Sequence, residues 1–293
     1  MADDDIHPVF RQVLIEMNQG HETRQGLLAD LETSLGRTVI SYFTSFSMPV
    51  MIDDSDVDML EGILQRADLS NGLALLLSSP GGETLAAERI INVCRSYSGT
   101  GEYWVIVPSK AKSAATLICF GSSKIIMSQT SELGPVDPQY FIEEDGTTKP
   151  YSAYNIVTSY DSLFSRAIAE TGNIEPYIQQ LAHYDERDII ELRTALELSV
   201  DISIRHLKSG MMTGLAEEDI KTNIEPFLTP EFTKTHGRPI FRDEARNCSL
   251  EIEDDDIRDD RWRVVHELYV RTNHFVSTQV AKCFESKDIS YCA

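Results

Sequence analysis

Apolar positions along the first half of the chain alternate between strand-like and helix-like spacing. Thr38–Phe46 (TVISYFTSF) is β-branched and aromatic and predicts a strand. Over Asp53–Ala67, Val57, Leu60, Ile63, Leu64 and Ala67 share one helical face behind a capping Asp53-Asp54-Ser55. Gly72–Leu77 (GLALLL) is continuously apolar, as a parallel strand covered on both faces requires. A helix over Thr84–Tyr97, a strand over Tyr103–Val107 (YWVIV), a short apolar helix over Ser113–Phe120 and a strand over Lys124–Met127 (KIIM) follow. This alternation predicts an α/β fold with a parallel sheet and right-handed crossovers.

The flanking regions read differently. Residues 7–35 predict a polar helix or helical hairpin, weakest at Gly20. They form an N-terminal helical arm (1–36) ahead of a single main domain (37–293), since no linker or internal repeat divides the rest. After residue 150 the chain turns helix-rich, with helices over Tyr151–Gly172 and Asp185–Gly210. Leu228–Pro239 reads as a turn-rich loop. Asp259–Phe284 reads as a long amphipathic helix carrying Trp262, Val265, Tyr269, Val276 and Val280. The acidic run Glu251–Asp260 reads as a solvated loop.

Charge and cysteine content narrow the function classes. A formal net charge of −21 repels phosphate backbones and anionic lipids, so neither nucleic acid nor an anionic membrane is an expected partner. The longest apolar runs, such as Leu73–Leu77, are strand-length, so no membrane span is expected. The opening MADDDIHPVF is acidic and does not read as a signal peptide. Cys94, Cys119, Cys248, Cys283 and Cys292 are odd in number and lack CxxC spacing. No disulfide framework, metal site or cofactor is expected, and reduced thiols in a cytoplasmic protein account for them. Cys119 reads as a core residue of the short apolar helix.

Two loops carry candidate chemistry. Ser78-Ser79-Pro80-Gly81-Gly82-Glu83 follows the buried strand, at the end where parallel sheets bind ligands. Paired glycines there allow a tight turn and leave N–H groups open to a phosphate or a developing oxyanion. Glu83 suits the start of the following helix, beside the positive end of its dipole. The second loop, Pro108–Ala115, again joins a strand to a helix and presents Ser113 between small residues. Ser113 reads either as an N-cap or as a nucleophile, with the Ala114 N–H beside it to stabilise negative charge.

Taken together, SSPGG, the strand after it, VPSKAKSAATL and KIIMSQTSELGPVDPQ resemble the SDH-family serine proteinases of the Clp protease/crotonase-like superfamily. The likeness extends over about residues 38–275 and is densest over 72–140. It implies a mostly parallel sheet with flanking helices and a helical C-terminal part. It also implies Ser113 as nucleophile, the Gly81-Gly82 pair as one oxyanion donor with Gly81 favoured, and Ala114 as the other.

The base is not given by the motif. Where the Clp protease carries a histidine, this chain reads TSELGPVDPQ; where signal peptide peptidases use a lysine, Asp161–Glu170 offers Arg166, which stays protonated. His236, in THGRPI, is the nominee, because imidazole titrates near neutrality. Lys208, Lys112, His183 and Asp185 remain alternatives, and Asp137 suits either orienting a base or holding its turn. The expectation is a serine peptidase acting on a peptide or protein substrate, in a homo-oligomer. A crotonase-type acyl-CoA enzyme and a non-catalytic scaffold that has lost its base are the alternatives.

Overall fold

The structure, a computed structural model, describes residues 8–15, 20–144, 146–230, 235 and 237–293. Its centre is a seven-stranded sheet in the order β10-β5-β3-β2-β1-β11-β12. The strands are β1 (Thr38–Thr44), β2 (Leu73–Ser78), β3 (Tyr103–Val107), β5 (Lys124–Met127), β10 (Ile252–Asp254), β11 (Lys282–Glu285) and β12 (Ser290–Cys292). Neighbours from β10 to β1 run parallel, while β11 and β12 are each antiparallel to the strand before them in the order.

Period-two alternation divides two apolar layers. Ile40, Tyr42, Leu73, Leu75, Leu77, Val105, Val107, Ile125 and Met127 face one cluster, with α3 (Asp54–Leu64), α4 (Thr84–Tyr97) and α5 (Ala114–Phe120). Val39, Phe43, Ala74, Leu76, Ile106 and Ile126 face the other. That second layer holds Leu28 and Leu31 of α2 (Glu22–Leu35) and Trp262, Val265 and Leu268 of α12 (Asp260–Thr278). GLALLL is apolar throughout because helices cover both its faces. The capping run holds as well: Asp53 caps α3 in a reciprocal box with Asp56.

The remaining elements lie outside this sheet. A small sheet of β4 (Lys110–Ala111), β6 (Glu132–Leu133) and β9 (Ile240–Phe241) and a hairpin of β7 (Gln139–Glu144) and β8 (Thr147–Ser152) lie near the strand ends. The helices α6 (Ala153–Ala169), α7 (Glu175–Leu181), α8 (Glu186–Lys208), α9 (Glu217–Asn223) and α10 (Glu225–Leu228) follow. α1 (Pro8–Ile15) precedes α2, and α11 (Arg242–Asn247) follows β9. No helix among the described residues is long and apolar enough to cross a membrane.

Three sequence expectations change. The last helix ends at Thr278, and Lys282–Glu285 is a strand paired with β1, where the sequence pattern predicts a helix running on to Phe284. The acidic run is not a solvated loop. Ile252–Asp254 pairs with β5, Glu253 bonds Lys124 at 2.7 Å and Arg261 at 2.8 Å, and Asp255 is buried against Arg261 at 2.6 Å. The hairpin over 139–152 takes Tyr151 and Ser152 out of the expected helix, which begins only at Ala153, behind a Ser152 cap.

A buried ion pair joins the first described long helix to the last strands. Arg24 Nε and Nη2 donate to the two Glu285 carboxylate oxygens at 2.6 and 2.7 Å, and both residues are fully buried. The guanidinium also lies 4.5 Å from the Phe275 ring centre. Removing one partner leaves a charge without compensation in an apolar layer. Glu285→Ala should therefore lower stability by about 3–5 kcal/mol, read as a shift of the urea midpoint, with Arg24→Met/Glu285→Leu recovering most of it.

Candidate active site

The ends of β2 and β3 lie on the same edge of the sheet because the strands are parallel neighbours. Beyond β2 the Ser79–Glu83 backbone is held on both sides. On one side Ile52 N–H donates to Gly81 O at 2.8 Å, and Glu83 N–H donates to Ile52 O at 2.9 Å. On the other, Ser79 N–H donates to Lys110 O at 3.3 Å, and Lys112 N–H donates to Ser79 O at 3.0 Å. The glycine loop is thus a rung between residue 52 and the segment leading to Ser113.

Close approach explains the glycines. Gly81 has φ 105°, a value that side chains rarely tolerate. A Cβ there would lie 2.6 Å from Lys112 O, 2.7 Å from Ser113 Cβ and 3.1 Å from Ala114 N. At Gly82 a Cβ would run into the Ile52 backbone. The sequence favours Gly81 as the oxyanion donor, but its N–H donates to Ser79 Oγ at 3.1 Å. Gly82 N–H and Ala114 N–H have no hydrogen-bond partner among the described residues. Gly81 supplies the turn, and Gly82 carries the open donor.

Ser113 is at the N-cap of α5, yet its side chain makes no capping bond. Its backbone is in an unusual region, φ 51° and ψ −121°. Such a conformation costs about 1–3 kcal/mol and persists only where its surroundings impose it. Those surroundings are visible. Ala115 N–H donates to Lys112 O at 2.9 Å, and Thr116 N–H donates to Ser113 O at 2.8 Å. The Thr116 hydroxyl bridges Ala111 O and Gly134 O, 2.9 Å from each, and accepts from Gly134 N–H at 3.2 Å. The half-buried Ser113 hydroxyl itself makes no hydrogen bond to a described residue.

Gly81, Gly82, Ser113 and Ala114 come together on one cleft of about 790 Å³. Val50 and Met51 form one wall, and Leu117, Val136 and Pro138 give it an apolar floor. Tyr151, Ser152 and Asn155 close another side, and Pro230, Thr235 and Gly237 complete the lining. The floor is fixed in place, since Val136 N–H donates to Phe227 O at 2.8 Å and Ser199 Oγ donates to Val136 O at 2.8 Å. Sequence motifs did not single out the Val50–Ile52 wall or the Pro150–Asn155 side. Each contributes through backbone position or shape, which leaves no residue signature.

The expected bases fare unequally. His236 lies outside the described residues. Lys208 is exposed at the end of α8 and pairs with Glu217 at 2.6 Å. Lys112 turns onto β6, with Nζ 2.9 Å from Glu132 and donating to Leu133 O at 3.0 Å. Burial lowers its pKa, although Glu132 opposes the shift. His183 is exposed and does not line this cleft. Asp185 caps α8, and hydrogen bonds from Arg187 hold its carboxyl at about 2. Arg166 stacks on Tyr177, 5.3 Å from the ring centre. Asp137 is buried between the cleft-lining Val136 and Pro138 and accepts from Gln139 Nε2 at 3.1 Å. Among the described lining residues the titratable side chains are Glu83, exposed at the rim, and Tyr151; none is a lysine or arginine.

Residues 15–157 match the family described as ClpP-like SDH-type serine proteinases. Two uncharacterised proteins of Methanocaldococcus jannaschii are similar in sequence. One is 34% identical over 135 residues, covering 43% of this chain and 46% of the relative. The other is 34% identical over 91 residues, covering 31% and 30%. The chain thus spans less than half the length of either relative. Among solved structures, a serine-to-alanine variant of the 1510-N membrane-bound stomatin-specific protease aligns over 76% of this chain and 80% of its own, with 17% identity and a TM-score of 0.40. A lysine-to-alanine variant of the same protease, in complex with a substrate peptide, aligns over 76% and 94%, with 16% identity and a TM-score of 0.30. The fold is ClpP-like α/β, a mostly parallel sheet with flanking helices, and residues 15–157 are similar to the ClpP-like SDH-type serine proteinases.

Proposed function

We propose that this protein is a serine peptidase working through an acyl-enzyme at Ser113. The observation that carries the reading is the backbone of Ser113, held at φ 51° with its hydroxyl uncapped, against the Gly81 turn in one cleft. An ordinary N-cap serine would turn its hydroxyl onto the first-turn N–H groups. In the proposed reaction Ser113 Oγ attacks the carbonyl carbon of a peptide bond. The oxygen of the tetrahedral intermediate accepts hydrogen bonds from Gly82 N–H and Ala114 N–H. The peptide amine leaves with a proton, and water then hydrolyses the ester.

The base belongs to the stretch between Pro230 and Gly237. Pro230, Thr235 and Gly237 line the same cleft as Ser113, which supports His236 over Lys208 and Lys112, both engaged elsewhere. Asp137 is the buried carboxylate to orient it, since both its chain neighbours line the cleft. The described lining has no lysine or arginine to receive the phosphates of coenzyme A, which weighs against an acyl-CoA reaction. The reading extends to a cytoplasmic homo-oligomer. Its support is the row of exposed apolar residues Ile168, Ile174 and Ile178 at α6 and α7, and light scattering should give a mass above that of one chain.

The direct test is fluorophosphonate labelling and peptide hydrolysis. Ser113→Ala should abolish labelling and lower hydrolysis by about 10⁴-fold or more. His236→Ala should do nearly the same, whereas Lys234→Ala, in the same stretch, should leave both within about threefold of wild type. Hydrolysis that survives in Ser113→Ala would remove the assignment. Gly81→Ala carries no catalytic atom, yet the added methyl must displace the Lys112–Ala114 backbone. It should cost about 1–3 kcal/mol in thermal unfolding and slow labelling at least about tenfold.

A further inference from the structure

The C-terminal hairpin places two thiols opposite each other, away from the cleft. Cys283 and Cys292 are register partners on the antiparallel strands β11 and β12. The adjoining pair, Lys282 and Ala293, exchanges both backbone bonds, Lys282 N–H to Ala293 O at 2.9 Å and Ala293 N–H to Lys282 O at 3.0 Å. Hydrogen-bonded and non-hydrogen-bonded pairs alternate along an antiparallel ladder. Cys283 and Cys292 therefore form a non-hydrogen-bonded pair, the kind in which facing side chains come closest. Their sulfurs are 3.3 Å apart. Cys283 is fully buried in the apolar layer beside α12, while Cys292 is exposed.

Glu285 is close enough to complete a three-residue metal-ligand set with the two thiols. Its carboxylate is already engaged, however, by Arg24 at 2.6 and 2.7 Å and by Ser290 Oγ at 2.9 Å. That leaves a dithiol.

We propose that Cys283 and Cys292 are a reversible thiol–disulfide site whose co-substrate is a low-molecular-weight disulfide. The exposed Cys292 thiolate attacks one sulfur of R–S–S–R, forming a Cys292–S–S–R mixed disulfide and releasing R–S⁻. Cys283 then attacks Cys292 Sγ and expels the second R–S⁻, its own proton passing to the released thiolate. Two protein thiols are oxidised to one disulfide, and one R–S–S–R is reduced to two R–SH. Cross-strand register partners whose sulfurs already lie 3.3 Å apart are placed to close the bond. The order of attack follows exposure, and the electrostatics agree. A hydrogen bond from Cys283 brings the Cys292 thiol down to about 7, and the same bond, together with burial, drives Cys283 well above its ordinary value. Of the charges facing the pair, Arg24 favours both thiolates and Glu285 opposes them. The bond would tie β12, the edge strand, to β11.

The test uses the purified full chain in oxidised and reduced glutathione at varied ratio, with intact mass and peptide mapping. Wild type should lose two hydrogens, give one cross-linked peptide joining Cys283 to Cys292, and regain both hydrogens in dithiothreitol. Cys283→Ala should stop at a glutathione adduct on Cys292, and Cys292→Ser should give neither product. The proposal falls if wild type stays reduced, stops at the adduct, or links other cysteines at a ratio that fully modifies Cys283→Ala. Should that variant not fold, the wild-type peptide map decides alone.

Discussion

The candidate site depends on the backbone rung from Ser79 to Glu83. Its hydrogen bonds run to Ile52 on one side and to Lys110 and Lys112 on the other. A side chain at Gly81 would strike the Ser113 turn, and one at Gly82 would strike Ile52. Three chain segments distant in sequence therefore meet at backbone separation, with no side chain between them. Close approach of this kind is what an oxyanion site requires, because a backbone donor works only if the reacting carbonyl can reach it. The engaged Gly81 N–H and the open Gly82 N–H are consequences of the same turn.

Holding Ser113 at positive φ needs a stiff support. The strand ends provide it, because β2 and β3 are covered on both faces and every residue of β2 is buried. The Thr116 hydroxyl then bonds α5 to both Ala111 and the Gly134 loop. The cost of the Ser113 conformation is offset by bonds its neighbours make, which is the usual arrangement where strain serves a site.

How much of this was legible in the sequence follows from where the signal lies. The parallel core was legible because its strands are short apolar runs and its helices carry periodic faces; α4 and β3 fall on the residues that the pattern marks. The glycines were legible because the close backbone approach there leaves no room for a side chain, and Ser113 stood out from its place between a strand and a short apolar helix. The C-terminal strands were not. Lys282 falls within the expected helix and Glu285 just past it, yet both are buried, each satisfied by an opposite charge far away in the chain. The acidic run misled in part for the same reason, since Glu253 looks solvated until Lys124, far earlier in the chain, is brought beside it. Long-range charge pairing has no local period and so leaves no trace in spacing.

Those same charges explain how a chain with net charge −21 seats its final strands against its core. Lys282, on β11, reaches Asp53 at 2.6 Å and Asp56 at 2.9 Å. Asp56 also accepts from Tyr42 OH at 2.8 Å and from Asp53 N–H at 2.9 Å, closing the cap of α3. The residue before that cap is Ile52, whose backbone holds Gly81 and Glu83. A cation on β11 thus neutralises the acidic helix start that adjoins one wall of the cleft. Two carboxylates this close, one of them buried, would repel each other without it. The hairpin lies outside the matched family region, 15–157, yet its lysine completes the support of the Gly82 rung within that region.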